Sequence, residues 1–244
     1  MVEEYITSDS QARDRLASIH PESEAAKFLI KIAQKTADGY SYVENQTYPR
    51  PGHPKLEKRL SPLFTFAAII TSLRCTLEVE SRVTDELILQ TDGDDEKLLR
   101  LGAVTIQDII RPAGMAKQKS EWIFNGIHEI SNNKEYSIEN LTEKTSEVAR
   151  QDLLKLKGIG QKAVDCFLLL GLEKPVFPVD TNVFKIVCLN FPELFNSNTE
   201  PKFTNPKQVQ VVKNFLENTF PKNTEDYQIL HTYLLLAEKH RINL

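Results

Sequence analysis

Cysteine is the first scarcity in this chain: among 244 residues there are three, Cys75, Cys166 and Cys188, far apart and with no C-x-x-C pair. That count excludes a disulfide framework and any four-thiolate metal site. Long apolar runs are missing too. Runs such as residues 167–170 fall far below the roughly 20 residues a membrane-spanning helix needs, and no N-terminal segment resembles a signal peptide, so the protein is expected to be soluble and intracellular. Nor is there an excess of positive charge. Lys plus Arg total 30 against 34 for Asp plus Glu, with a net charge of −4 and a pI near 5.8, so any affinity for nucleic acid has to rest on a local basic face. Candidates are Lys117, Lys119, Lys155, Lys157 and Lys162, which as ordinary solvated lysines would need no explanation.

Glycine is sparse, at nine, and the 12 prolines are partly gathered in Tyr48-Pro49-Arg50-Pro51-Gly52-His53-Pro54. Most of the remaining chain is therefore free to form helices, and 41% hydrophobic residues can supply a core. The pattern predicts an all-α fold. A helix is expected to begin near Pro21, with Ala25, Phe28, Leu29 and Ile32 at helical spacing and a stop at Gly39. The segment 62–73 is apolar nearly all round, the mark of a helix at the centre of a bundle. Further helices are predicted at 78–89, 95–101, 106–110, 117–130, 146–156, 161–170, 180–190, 208–220 and 226–239. No stretch alternates as a strand does, and there is no internal repeat; residues 196–205 read as a polar loop.

Two strings carry chemistry. In Leu156-Lys157-Gly158-Ile159-Gly160-Gln161-Lys162 the glycines allow backbone conformations closed to other residues and close approach of an anion. The helix that follows presents unpaired N–H groups, so Gly158, Ile159, Gly160 and Gln161 are candidate phosphate-gripping positions. Lys162 falls in the first turn of that helix, where the positive helix end and partial burial disfavour the ammonium and favour a nucleophilic amine. Some eighteen residues later comes Phe177-Pro178-Val179-Asp180-Thr181-Asn182. Asp180 reads as a helix N-cap, a role compatible with chemistry because capping keeps the carboxylate ionised and aimed.

Together these strings resemble the helix-hairpin-helix, Gly/Pro-rich loop and aspartate signature of the endonuclease III branch of DNA glycosylases. Ser72-Leu73-Arg74-Cys75-Thr76 is similar to that family's first DNA-inserting loop, and Ala113-Gly114-Met115-Ala116-Lys117-Gln118-Lys119 to its second. The resemblance runs from about Leu60 to the C-terminus. It implies a six-helix bundle, residues 58–174, and a second helical domain that joins the N-terminal helices and Pro-rich linker, 1–57, to residues 175–244. Its implied substrate is double-stranded DNA carrying damaged bases or abasic sites, bound by a monomer in the cytoplasm or nucleoid of a prokaryote or the nucleus of a eukaryote.

The resemblance also assigns roles: Lys162 as the Schiff-base nucleophile, Asp180 as its electrostatic partner, Arg74 and Met115 as inserting residues, and Lys119 as a DNA contact. No cofactor is implied. Many members end in four cysteines that hold a [4Fe-4S] cluster, whereas this chain reads Ile242-Asn243-Leu244 about where the first would be expected, and three scattered cysteines cannot supply four thiolates. The expectation is either a member without the cluster or a shortened chain. Arg74 stands where many members have glutamine, which opens the question of damage preference. Two other readings remain at this stage: an 8-oxoguanine glycosylase-lyase, which shares the lysine and aspartate, and a helix-hairpin-helix module that binds DNA without chemistry.

Overall fold

The computed structural model describes residues 9–39, 60–195 and 200–239. The Pro-rich stretch 48–54, part of the polar loop 196–205 and the terminal Ile242-Asn243-Leu244 lie outside the described residues. Among those described the chain is all α-helical, with no strand. The helices are α1 (Asp9–Ser18), α2 (Glu24–Gly39), α3 (Pro62–Ser72), α4 (Leu77–Thr91), α5 (Asp95–Arg100), α6 (Gly102–Ile110), α7 (Ala116–Asn132), α8 (Ile138–Glu143), α9 (Ser146–Leu153), α10 (Gln161–Leu170), α11 (Thr181–Asn190), α12 (Pro206–Thr219) and α13 (Thr224–Lys239). By its contacts the chain divides into two compact units, one of residues 46–174 and one that combines 1–45 with 175–244.

In the unit of residues 46–174, α3 is the helix expected to be central, and every residue from Leu63 to Thr71 is buried. Its start is well specified: Pro62 needs no N–H partner at the first helical position, and the Ser61 hydroxyl accepts from the Phe64 N–H at 3.2 Å. Helices α7 and α10 pack against α3, and Phe66 meets Phe167 of α10 edge to face at 5.4 Å. Thr76, Asp94, Ser137 and Thr145 cap α4, α5, α8 and α9 in the same way. The Ser137 cap starts a helix, α8, that the hydrophobic pattern does not predict. In the opposite direction, the helix expected over 146–156 stops at Leu153, because Lys155 and Leu156 turn into i→i+3 bonds with Asp152 and Leu153.

In the unit made from both chain ends, α13 packs against α2, α11 and α1 and buries Tyr227, Leu230, Tyr233 and Leu234 completely. The Ser23 hydroxyl caps α2 by accepting from the Ala26 N–H at 3.1 Å. Helix α1 is absent from the sequence expectation, since only Ala12 and Leu16 form its apolar stripe. Arginines anchor it instead: Arg13 donates to the Ala37 carbonyl at 3.1 Å, in the last turn of α2, and Arg15 pairs with Asp226 at 2.6 Å and Glu225 at 3.4 Å in the first turn of α13.

One ion pair ties α9 to α10 and so fixes the two helices on either side of the glycine turn. Arg150 Nε donates to Asp165 Oδ1 at 2.7 Å, with the Asp165 side chain 4% exposed, and the same guanidinium also pairs with Glu147. Burial works against the Arg150 charge, but Asp165 and Glu147 outweigh it and raise its pKa. Asp165→Ala leaves a largely buried guanidinium with only its solvent-facing partner, and we expect a loss of about 3 kcal/mol in urea unfolding. A change within about 0.5 kcal/mol, the range typical of surface substitutions, would show that the pair only offsets its own desolvation.

Candidate active site

The turn between α9 and α10 depends on one glycine more than the other. Gly158 has φ of +85°, and a Cβ there would lie 2.1 Å from Cδ2 of Trp122 on α7; both the backbone and the indole ring exclude a side chain. Gly160 differs from the expectation. Its φ of −98° and ψ of 170° are open to any residue, and a Cβ would meet nothing within 4 Å. Glycine at 160 therefore keeps space clear at the start of α10 rather than permitting a special conformation. As N-cap it also offers no side-chain acceptor, so the amides of the first turn face outward with the positive end of the helix. Gly160 and Gln161 are exposed, and Gly158, Ile159 and Lys162 are half-buried. Lys162 is the second residue of α10.

Asp180 caps α11: its Oδ1 accepts from the Val183 N–H at 2.8 Å, and the residue is half-buried. The chain leading to it is held on both sides of one residue. The Phe177 N–H donates to Glu217 Oε1 at 2.9 Å, and Lys213 Nζ donates to the Phe177 carbonyl at 3.4 Å, while Lys213 and Glu217 pair at 3.3 Å on α12. Phe177 and Val179 are buried, and Phe177 packs on Tyr227 with ring centroids 5.2 Å apart. Lys213 and Glu217 escape sequence reasoning because an i, i+4 Lys–Glu pair on an amphipathic helix reads as a solvated face. Lys213 is 2% exposed.

Arg74 and Met115 share an unusual feature. Both are non-glycine residues in the left-handed region, with φ of 53° and 52°, a conformation that costs of order 1 kcal/mol or more. Both are exposed, Met115 by 39%, and each sits in the short link just before a helix, α4 and α7 respectively.

The basic face is smaller than the sequence suggests. Lys119, expected to contact DNA, is fully buried; its ammonium donates to the Thr71 carbonyl at 2.9 Å and the Ala113 carbonyl at 2.8 Å and cannot reach a phosphate. Burial lowers its pKa, opposed by Cys75 and Glu80. Lys155 pairs with Asp152 at 2.7 Å and Glu135 at 3.5 Å. With Lys144 at 2.8 Å, it surrounds Asp152, and hydrogen bonds first from Lys144 and then from Lys155 hold that carboxyl below its ordinary range. Lys117 and Lys157 remain exposed. The three cysteines are free thiols, and among the described residues no three or more His, Cys, Asp or Glu side chains gather as a metal site would require.

No protein-family model matches the chain. It is 26% identical over 169 residues to a provisionally named DNA repair glycosylase of Methanocaldococcus jannaschii, a match covering 69% of this chain and 72% of that protein. To an endonuclease III of Thermotoga maritima it is 26% identical over 133 residues, 54% of this chain and 58% of that enzyme. An Arabidopsis thaliana relative is longer: the chain spans 31% of it, at 33% identity over 92 residues. Among solved structures, endonuclease III trapped as a covalent intermediate on DNA superposes with a TM-score of 0.57 at 17% identity, covering 87% of this chain and 85% of that one. That likeness concerns the fold, and the relatives supply what the fold alone does not. Helical architecture, glycine turn and capping aspartate thus accompany a likeness in sequence to DNA glycosylases, an endonuclease III among them, and a likeness in fold to endonuclease III.

Proposed function

We propose that this protein removes damaged bases, oxidised pyrimidines first among them, from double-stranded DNA and then cuts the abasic strand. The observation that carries this reading is that the amine and the carboxylate the reaction needs each stand at a helix N-terminus anchored by buried structure. In this reading the amides of Gly158–Gln161 grip a backbone phosphate, and the damaged nucleotide leaves the stack while Arg74 and Met115 fill the gap. Lys162 Nζ attacks C1′ as the bond from C1′ to the base nitrogen breaks, and the base leaves with a proton. Asp180 stabilises the positive charge that develops on the sugar and assists proton transfer. The amine adduct opens to a Schiff base. Loss of a C2′ proton then expels the 3′ phosphate oxygen and nicks the strand. Oxidised pyrimidines are favoured over 8-oxoguanine because both inserting loops resemble the endonuclease III group. Incision of a panel of duplexes, each with one oxidised base, tests that preference, and fastest cutting at an oxidised purine would reverse it.

The Schiff base is reducible, so borohydride added during turnover is expected to leave a covalent protein–DNA adduct. Lys162→Gln should abolish trapping while DNA binding, carried by backbone amides, largely survives. Adduct formation at the normal rate by that variant would assign the chemistry to another amine. Asp180→Asn keeps much of the cap but removes the charge. Base removal should fall by about two to four powers of ten, with a smaller loss on a ready-made abasic site.

The two glycines should separate. Gly158→Ala meets both the left-handed backbone and the Trp122 ring and is expected to cost about 2–4 kcal/mol of stability. Gly160→Ala fits the fold and should leave the melting temperature nearly unchanged, yet its methyl occupies the space a phosphate would use and should weaken DNA binding several-fold. Unchanged affinity of Gly160→Ala would remove the phosphate grip from this turn.

Met115→Ala should slow incision of damaged duplex by the equivalent of about 1–3 kcal/mol, the order of one unstacking step. Nicking of a single-stranded abasic oligonucleotide, where little has to be unstacked, should suffer less. Equal losses on the two substrates would make Met115 a packing residue only.

A further inference from the structure

Lys119 is a lysine in an improbable place. It is fully buried, and it lies in the first turn of α7, four residues after Met115, whose carbonyl accepts the Lys119 N–H at 2.9 Å. From there its side chain reaches the ends of two separate helical segments. Thr71, whose carbonyl accepts from Nζ at 2.9 Å, is in the last turn of α3, three residues before Arg74. Ala113, the second acceptor at 2.8 Å, closes the 3-10 turn Arg111–Ala113, two residues before Met115. Buried Glu80, in the first turn of α4, and Cys75, beside Arg74, lie close enough to act on its charge.

Taking an ammonium out of water costs several kcal/mol, and an apolar residue would fill the same space without that cost. What an apolar side chain cannot do is hold two carbonyls from different helical segments at a set separation. Carbonyls at the end of a helix lack partners within it and attract a cation, so one ammonium can bind both loop bases at once. The two residues carried above it, Arg74 and Met115, are both exposed and both in left-handed backbone, a conformation that Asp92 and Glu173 share elsewhere. Such strained conformations persist only where surrounding structure holds them.

We propose that Lys119 is a positioning residue that braces the Leu73–Thr76 link and the Arg111–Met115 link from beneath, so that Arg74 and Met115 enter the duplex as one rigid wedge. The inference rests on the reading that these two residues occupy the gap left by the flipped nucleotide. Its effect is on insertion and not on the chemistry of Lys162. Loss of the brace should therefore be felt where the duplex has to be opened and hardly at all where it does not.

Two assays on the full chain make the test: single-turnover base removal from a duplex with one oxidised pyrimidine, and nicking of a single-stranded abasic oligonucleotide. Lys119→Met keeps the length and removes the donors. Duplex turnover should fall by about tenfold to a hundredfold, the scale of an ångström-sized misplacement, with nicking of the single strand within about twofold. In a Met115→Ala background the same substitution should add much less than it does alone, because both act through one wedge. Amide hydrogen exchange should quicken in both links together. Equal losses on the two substrates, or full additivity with Met115→Ala, would overturn the brace and leave Lys119 as packing. Should Lys119→Met not fold, Lys119→Arg carries the test: it keeps charge and donors but alters the spacing, and must show the same selective loss on duplex. The wedge reading fails separately, if Met115→Ala itself slows both substrates alike.

Discussion

A helix with no hydrophilic face has to be enclosed on every side, and α3 is such a helix: nine consecutive residues, Leu63 to Thr71, are buried. Much of what bears on function in residues 46–174 follows from that enclosure. Helix α10, which begins with the glycine turn and carries Lys162, lies against α3, and so does α7, which carries Met115 at its cap and Lys119 in its first turn. The end of α3 itself leads into Arg74. Burying apolar surface at roughly 25 cal/mol per Å² thus does more than stabilise the bundle, because it gives three chemically distinct features a common reference body.

Legibility in the sequence followed the same physical division. Central helix α3, helix α10 to its last residue, and the Asp180 cap were readable, since apolar continuity, a glycine stop and a capping residue are local signals. Helix α1 was not, because its apolar stripe is two residues wide and its attachment is made by Arg13 and Arg15 to residues far along the chain. The lysines were the least readable. Lys119, Lys155 and Lys213 look alike in a sequence, yet one lies buried between two carbonyls, one pairs with carboxylates at the surface, and one holds a peptide of the segment before Asp180. A side chain four carbons long can end inside or outside the protein, and periodicity does not record which. Gly160 was misread for a related reason: its need for glycine lies in the space beside it and not in its own backbone angles.

On the proposed reading, the phosphate grip relies on the dipole at the start of α10, with Lys157 exposed beside it. Of the lysines nearest the turn, Lys155 is already neutralised by Asp152 and Glu135, and the chain carries a net charge of −4. Fixed N–H groups at a helix start release no condensed counterions of their own in the way a lysine array does. An acidic protein can therefore hold a polyanion at one well-aimed place without being drawn to it everywhere.

Chain topology adds an order of events. Residues 46–174 form one compact unit, inserted into another built from 1–45 and 175–244, so α1 and α2 leave the ribosome long before α13, the helix they pack on. The described helices of the inserted unit pack extensively on one another, so it can acquire structure first, as domains do during synthesis. Its folding then shortens the effective loop that α2 must close to reach α13, which lowers the entropy of that closure. Until then the part of the apolar face of α2, with Leu29, Ile30 and Ala33, that α1 does not cover lies open. The interval between the two is the period in which a nascent chain of this topology is most open to aggregation and to chaperones.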